Sequence, residues 1–127
     1  MSDGPVVIDA SALLALLQGG SGAEAVADVL PRGAMSAVNL SEVVAKLTER
    51  GMPGEAARAA LDGLSIDVFP FDREDAYAAG ELRRVTRNAG LSFGDRACLA
   101  LAMRLGVTAD RAWGALTEGG ARITVIR

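Results

Sequence analysis

Between Arg96 and Arg104 the chain carries seven consecutive apolar residues, Ala97-Cys98-Leu99-Ala100-Leu101-Ala102-Met103. A helix that is apolar on every face lies inside a protein, so this stretch predicts the most buried helix of the fold. Its start is written just upstream, in Leu91-Ser92-Phe93-Gly94-Asp95. Ser92 is a good N-cap, and Asp95 falls three residues later, as in a capping box, with its carboxylate at the positive end of the helix dipole. An acid therefore stands at the mouth of a buried helix.

The rest of the chain alternates short apolar runs with helical patterns. Residues 5–8, Pro-Val-Val-Ile, are apolar and mostly β-branched, and predict a buried strand. The strand ends at Asp9, and Asp9-Ala10-Ser11 opens a helix that Gln18-Gly19-Gly20 stops. A second helix is expected over 21–30, closed by Pro31-Arg32-Gly33, followed by a brief strand over 34–36. In residues 38–50 the apolar positions Leu40, Val43, Val44 and Leu47 follow the i, i+3, i+4, i+7 rule. Residues 53–64 form an Ala-rich helix with Pro at its start, and 66–71 a strand ending at proline. Asp72 caps a long helix to about Asn88. Strands are expected again over 107–109, ending at Asp110, and over 122–127, where polar and apolar residues alternate. Strands separated by helices imply a mainly parallel sheet with helices on both faces, in a single domain spanning residues 1–127.

Composition narrows the chemistry mainly through absences. The chain has no histidine, a single cysteine (Cys98) and a single lysine (Lys46). Ser-His-Asp and Cys-His machinery, histidine metal sites, thiolate zinc sites and Lys-dependent phosphate loops are therefore excluded. Carboxylates and hard metal ions are the tools left for a hydrolase. A net charge of −3 argues against a protein that coats nucleic acid, without excluding a nuclease. No apolar run approaches the roughly 20 residues of a membrane span, and Met1-Ser2-Asp3-Gly4 lacks the basic start of a secretory signal. A cytoplasmic protein is expected.

Four acids could converge. In open parallel sheets ligands bind beyond the carboxyl ends of the strands, and Asp9 and Asp110 each leave a predicted strand at that end. Asp95 reaches the same edge if the start of its helix faces it, and Glu42 lies near the start of the helix over 38–50. Each has a plain structural account as well. Asp9, Asp95 and Asp110 serve equally as helix caps. Glu42 sits roughly 150–160° from the centre of its helix's apolar stripe, at about 100° per residue, where pairing with Lys46 at i+4 accounts for it. Ser11 and Thr108 flank two of the acids, where their hydroxyls suit local backbone bonds or the orientation of a carboxylate. Tyr77 and Trp113 read as packing residues.

Set in order, Asp9-Ala10-Ser11-Ala12-Leu13, Asn39-Leu40-Ser41-Glu42-Val43, Leu91-Ser92-Phe93-Gly94-Asp95-Arg96-Ala97 and Val107-Thr108-Ala109-Asp110-Arg111-Ala112-Trp113 give a chain that resembles the PIN-domain proteins, most closely the VapC-type toxins of bacterial toxin–antitoxin pairs. The resemblance runs over essentially the whole chain. It implies a PIN-like three-layer α/β/α fold with a central, mainly parallel sheet of four or five strands. It implies an acidic pocket of Asp9, Glu42, Asp95 and the more variable Asp110 for Mg²⁺ or Mn²⁺, with Ser11 and Thr108 supporting. The activity it implies is endoribonuclease cleavage of RNA phosphodiesters by water, the partner a cognate antitoxin whose C-terminal segment blocks the cleft, and the assembly a homodimer. Two other classes compete: a different metal-dependent phosphoesterase, whose haloacid-dehalogenase-like version is disfavoured by the lack of a D-x-D pattern at Asp9-Ala10-Ser11, and a non-catalytic PIN-like interaction module whose acids are only caps.

Overall fold

The computed structural model of the chain describes residues 4–86 and 90–107. Among these, β1 (Val6–Val7), β2 (Gly33–Ser36) and β3 (Asp67–Phe69) pair in parallel in the order β1-β2-β3. Val7 is in register with Ala34, and Ser36 with Phe69. Helices α1 (Ala10–Gln18) and α2 (Ala23–Val29) connect β1 to β2, and α3 (Ala37–Glu49) and α4 (Gly54–Asp62) connect β2 to β3. Helices α5 (Arg73–Val85) and α6 (Phe93–Arg104) follow.

The period of two along the strands sorts the interior into two layers. Val6, Ile8 and Met35 point to one face and pack with Leu13, Val26, Val43, Leu47 and Leu61 from α1 to α4. Val7 and Ala34 point to the other and pack with Leu82 of α5 and Cys98, Leu99, Leu101 and Ala102 of α6. Covered on both faces, the sheet is the middle layer of an α/β/α sandwich, as the sequence predicts. All four residues of β2 are buried, which makes the three-residue run expected at 34–36 the central strand of the described sheet. The strand expected over 122–127, and all but Val107 of the one over 107–109, lie outside the described residues.

The predicted buried helix is α6, where Ala97 to Ala102 are all buried. The run breaks at its end, since Met103 is 56% exposed. Tyr77, expected to pack, is also 56% exposed and lies beneath the Arg73 guanidinium, 5.9 Å from the ring centre. Its position on α5 faces solvent because Ala79 and Leu82 form that helix's buried side. No single helix among the described residues is long and apolar enough to cross a membrane.

The two helices over the second face are clasped at their ends. Asp72 and Asp75 form a capping box at the start of α5, and Arg104 in the last turn of α6 donates to the buried Asp75 Oδ2 at 2.8 Å. The Asp75 backbone N–H, helped by Arg104, holds the Asp72 carboxyl below the usual carboxylate range. A lowered folded-state value means that the cap's contribution is present above the ordinary carboxyl range and is lost as pH falls through the lowered value. Removing Arg104 strips a charge-assisted bond from a buried carboxylate. Arg104→Ala is expected to lower stability by about 1–3 kcal/mol in urea denaturation, with Arg104→Lys recovering only part of it.

Candidate metal centre

Three elements deliver acids to one end of the sheet. After β1 the ladder continues through the Ile8 N–H, which donates to the Ala34 carbonyl at 2.8 Å, and the next residue is Asp9. Asp9 is 4% exposed and caps α1, its Oδ1 accepting from the Ala12 N–H at 3.0 Å. The chain leaves β2 at Ser36, whose hydroxyl caps α3 by accepting from the Val38 N–H. Because β1 and β2 are adjacent and parallel, α1 and α3 begin side by side at the carboxyl edge. Helix α6 starts at the same cleft, with Ser92 and Asp95 in a reciprocal capping box: the Ser92 N–H donates to Asp95 Oδ2 at 3.0 Å, and the Asp95 N–H to Ser92 Oγ at 3.1 Å.

Glu42 is placed by contact between α3 and α6. Its carboxylate lies directly against Gly94, where a Cβ would stand 2.7 Å from the Glu42 carboxyl carbon and closer to both oxygens. Any larger residue there would push the Glu42 carboxylate out of its present position. Asn39, one turn before Glu42 and 1% exposed, ties the contact together. Its Nδ2 donates to Glu42 Oε1 at 3.0 Å and to the Gly94 carbonyl at 3.1 Å. The pairing of Glu42 with Lys46 that the helical pattern suggests is not formed among the described residues. Glu42 turns to Asn39 and Gly94 because its face of α3 meets α6.

The result is a cleft of about 470 Å³ whose lining includes Asp9, Ser11, Asn39, Glu42, Lys46 and Asp95. Three of the four predicted acids, and Ser11, thus share one site although 86 positions separate Asp9 from Asp95. Asp110 and Thr108 lie outside the described residues. A larger hollow of about 580 Å³ between α3, α4 and β3 is mostly apolar and is lined by none of the three acids.

Among the described residues no three acids stand close enough to form a metal cage as they are. Each turns one oxygen to a local donor: Asp9 to Ala12, Glu42 to Asn39, Asp95 to Ser92. The donor set still fits a hard divalent ion in kind. It consists of anionic oxygens with no sulfur or imidazole, the set that suits Mg²⁺ and Mn²⁺, and a carboxylate oxygen accepting one hydrogen bond keeps lone pairs for coordination. The N-termini of α1 and α6 favour negative charge at Asp9 and Asp95.

Asn39 is the site residue that the apolar pattern passes over. With Val43 and Leu47 it forms the fully buried line of α3, at i, i+4 and i+8. A polar residue in register with two core positions is the signal, hidden when only apolar positions are counted.

The PIN domain family profile matches residues 6–117. The chain belongs to the PIN domain family. Solved structures similar to it include a toxin–antitoxin complex from Klebsiella pneumoniae, with 21% identity and a TM-score of 0.66 over 80% of this chain and 81% of that one. Another is Mycobacterium tuberculosis VapC20, described as a sarcin–ricin loop cleaving toxin, with 21% identity and a TM-score of 0.66 over 80% and 84%. At that identity the likeness is one of fold. No curated protein matches the chain significantly.

In this PIN domain the capping role of Asp9 is separable from its charge. Asp9→Asn keeps a good N-cap and is expected to leave stability within a few tenths of a kcal/mol, whereas Asp9→Ala loses about 1 kcal/mol. Thermal or urea unfolding of the two variants checks this.

Proposed function

We propose that this PIN domain is a metal-dependent endoribonuclease, the toxin of a toxin–antitoxin pair. The observation that carries the reading is the meeting of Asp9, Glu42 and Asp95, from three separate elements, in one cleft beyond the carboxyl ends of β1 and β2. The fold of the two structural neighbours, a toxin–antitoxin complex and a sarcin–ricin loop cleaving toxin, supports the same assignment.

In this reading Asp9, Glu42 and Asp95 hold Mg²⁺ or Mn²⁺, Asp110 completes the acidic set, and Ser11 and Thr108 orient it. The ion's contribution when bound is Lewis acidity: it makes water a competent nucleophile near neutral pH and offsets charge on the phosphodiester. The chain's contribution is placement. Helix caps fix Asp9 and Asp95, Asn39 and Gly94 fix Glu42, and Lys46 supplies the one cationic side chain among the described lining residues, suited to a phosphate oxygen. With no histidine in the chain, water is a better nucleophile than a 2′-hydroxyl that would need a general base. The protein works in the cytoplasm as a homodimer, and its antitoxin blocks the cleft.

One observation favours the rival, a non-catalytic interaction module: all three acids are already engaged in local hydrogen bonds. Metal-free protein incubated with structured RNA separates the two. Cleavage is expected to appear on adding Mg²⁺ or Mn²⁺, to stop with EDTA, and to fall in Asp9→Asn and Asp95→Asn by more than the roughly 10- to 100-fold that loss of an outer-shell partner causes. Cleavage that persists in EDTA and in both variants contradicts the metal-nuclease reading, and no cleavage with either metal favours the module.

A further inference from the structure

We propose that Asn39 is a positioning residue for Glu42, a single buried amide that sets the separation between the acid of α3 and the acid of α6. The inference rests on the metal-centre reading above and adds to it a residue that touches neither RNA nor ion.

Geometry fixes the orientation of the amide. Both partners of Nδ2, Glu42 Oε1 and the Gly94 carbonyl, are acceptors, so the NH₂ group must face them; a flipped amide would set a carbonyl oxygen against two others. The consequence is that Asn39 Oδ1 is buried without a hydrogen-bond partner among the described residues. Buried polar atoms are rarely left unpaired in folded proteins. An apolar side chain here would continue the Val43–Leu47 line without that penalty, so core packing alone does not account for an asparagine. What the amide uniquely supplies is two diverging donors. One holds the Glu42 carboxylate, and the other holds the carbonyl of the residue immediately before Asp95.

Gly94 is the second half of the device. By accepting the Asn39 donor with its carbonyl and admitting the Glu42 carboxylate beside its Cα, it lets α3 and α6 approach closely enough for Glu42 and Asp95 to line the same cleft. Asn39 also lies in the buried line of α3, so its own position is fixed by packing and it transmits that order to a side chain which is only partly buried.

Mn²⁺ is the probe, titrated by calorimetry into the RNA-free full-length protein at constant ionic strength, with thermal unfolding run in parallel. Asn39→Leu, which keeps the branched shape but is bulkier and has no donors, is expected to bind Mn²⁺ at least about tenfold more weakly than wild type, within the 10- to 100-fold range for lost outer-shell partners. Asn39→Ser, which keeps one donor and cannot span both acceptors, is expected to fall between. In a Glu42→Gln background Asn39→Leu should bring a smaller further loss than in wild type, because the part of its effect that runs through the Glu42 carboxylate is already gone. Gly94→Ala, with the amide intact, should weaken Mn²⁺ binding as Asn39→Leu does.

Wild-type affinity in a folded Asn39→Leu or Asn39→Ser overturns the proposal. So does an undiminished loss from Asn39→Leu in the Glu42→Gln background, which would show action by another route. If neither Asn39 variant folds, the residue is structural only and the proposal fails. If wild type binds no Mn²⁺, or Asp9→Asn binds as tightly as wild type, it is the metal-centre reading that fails, a result distinct from the others.

Discussion

The closeness of α3 to α6 at Gly94 is the constraint on which the site depends. A Cβ at that position would occupy the space of the Glu42 carboxylate, and the Asn39 amide bonds across the same gap to the Gly94 carbonyl. Both helices are held there by ordinary hydrophobic burial, α3 through Val43 and Leu47 on one face of the sheet and α6 through Cys98, Leu99 and Leu101 on the other. The contact between them therefore lies at the sheet's carboxyl edge. Burial of apolar area supplies the driving force, and a few polar groups convert that packing into a defined separation between acids.

Much of this order is legible in the sequence because it is local. The uniform apolar run after Arg96 specifies a buried helix, Ser92 and Asp95 specify how it starts, and Asp9 marks where a buried strand turns into a helix. The middle strand is harder to see. Residues 33–36 are buried on both faces, so they lack the alternation that identifies a half-exposed strand, and two of the four are Gly and Ala. Glu42 is harder still. A wheel drawn on Leu40, Val43, Val44 and Leu47 assumes that α3 makes one contact, whereas it meets α1 and α4 on one side and α6 on another. A residue opposite the first contact is then not a solvent residue. Asn39 is invisible to an apolar count for the same reason, since its burial follows from α6, 55 residues away in sequence. Asp110, a fourth acid suggested by resemblance, lies outside the described residues.

Under the proposed function the structural and chemical roles of the acids in the cleft are not alternatives. Asp9 and Asp95 each complete a helix N-terminus, and the same bonds that cap the helices fix where the carboxylates stand. A capping oxygen that accepts one hydrogen bond keeps a lone pair for coordination, and helix dipoles favour anionic side chains at both positions. A fold that gathers negative charge beside helix N-termini reduces the mutual repulsion that would otherwise drive the acids apart. Stability and the proposed metal binding would thus draw on the same residues, and conservative amide substitutions are able to separate them.

The central claim is that packing of α3 and α6 on the sheet brings Asp9, Glu42 and Asp95 into one cation-binding cleft. Anomalous X-ray scattering from crystals of the protein grown with Mn²⁺ tests it most directly. The account predicts an anomalous peak in the cleft within about 2.0–2.6 Å of carboxylate oxygens from at least two of the three acids, the range of hard cation–oxygen bonds. A well-ordered cleft without a peak at saturating Mn²⁺, with the carboxylates still in their hydrogen bonds to Ala12, Asn39 and Ser92, would contradict it.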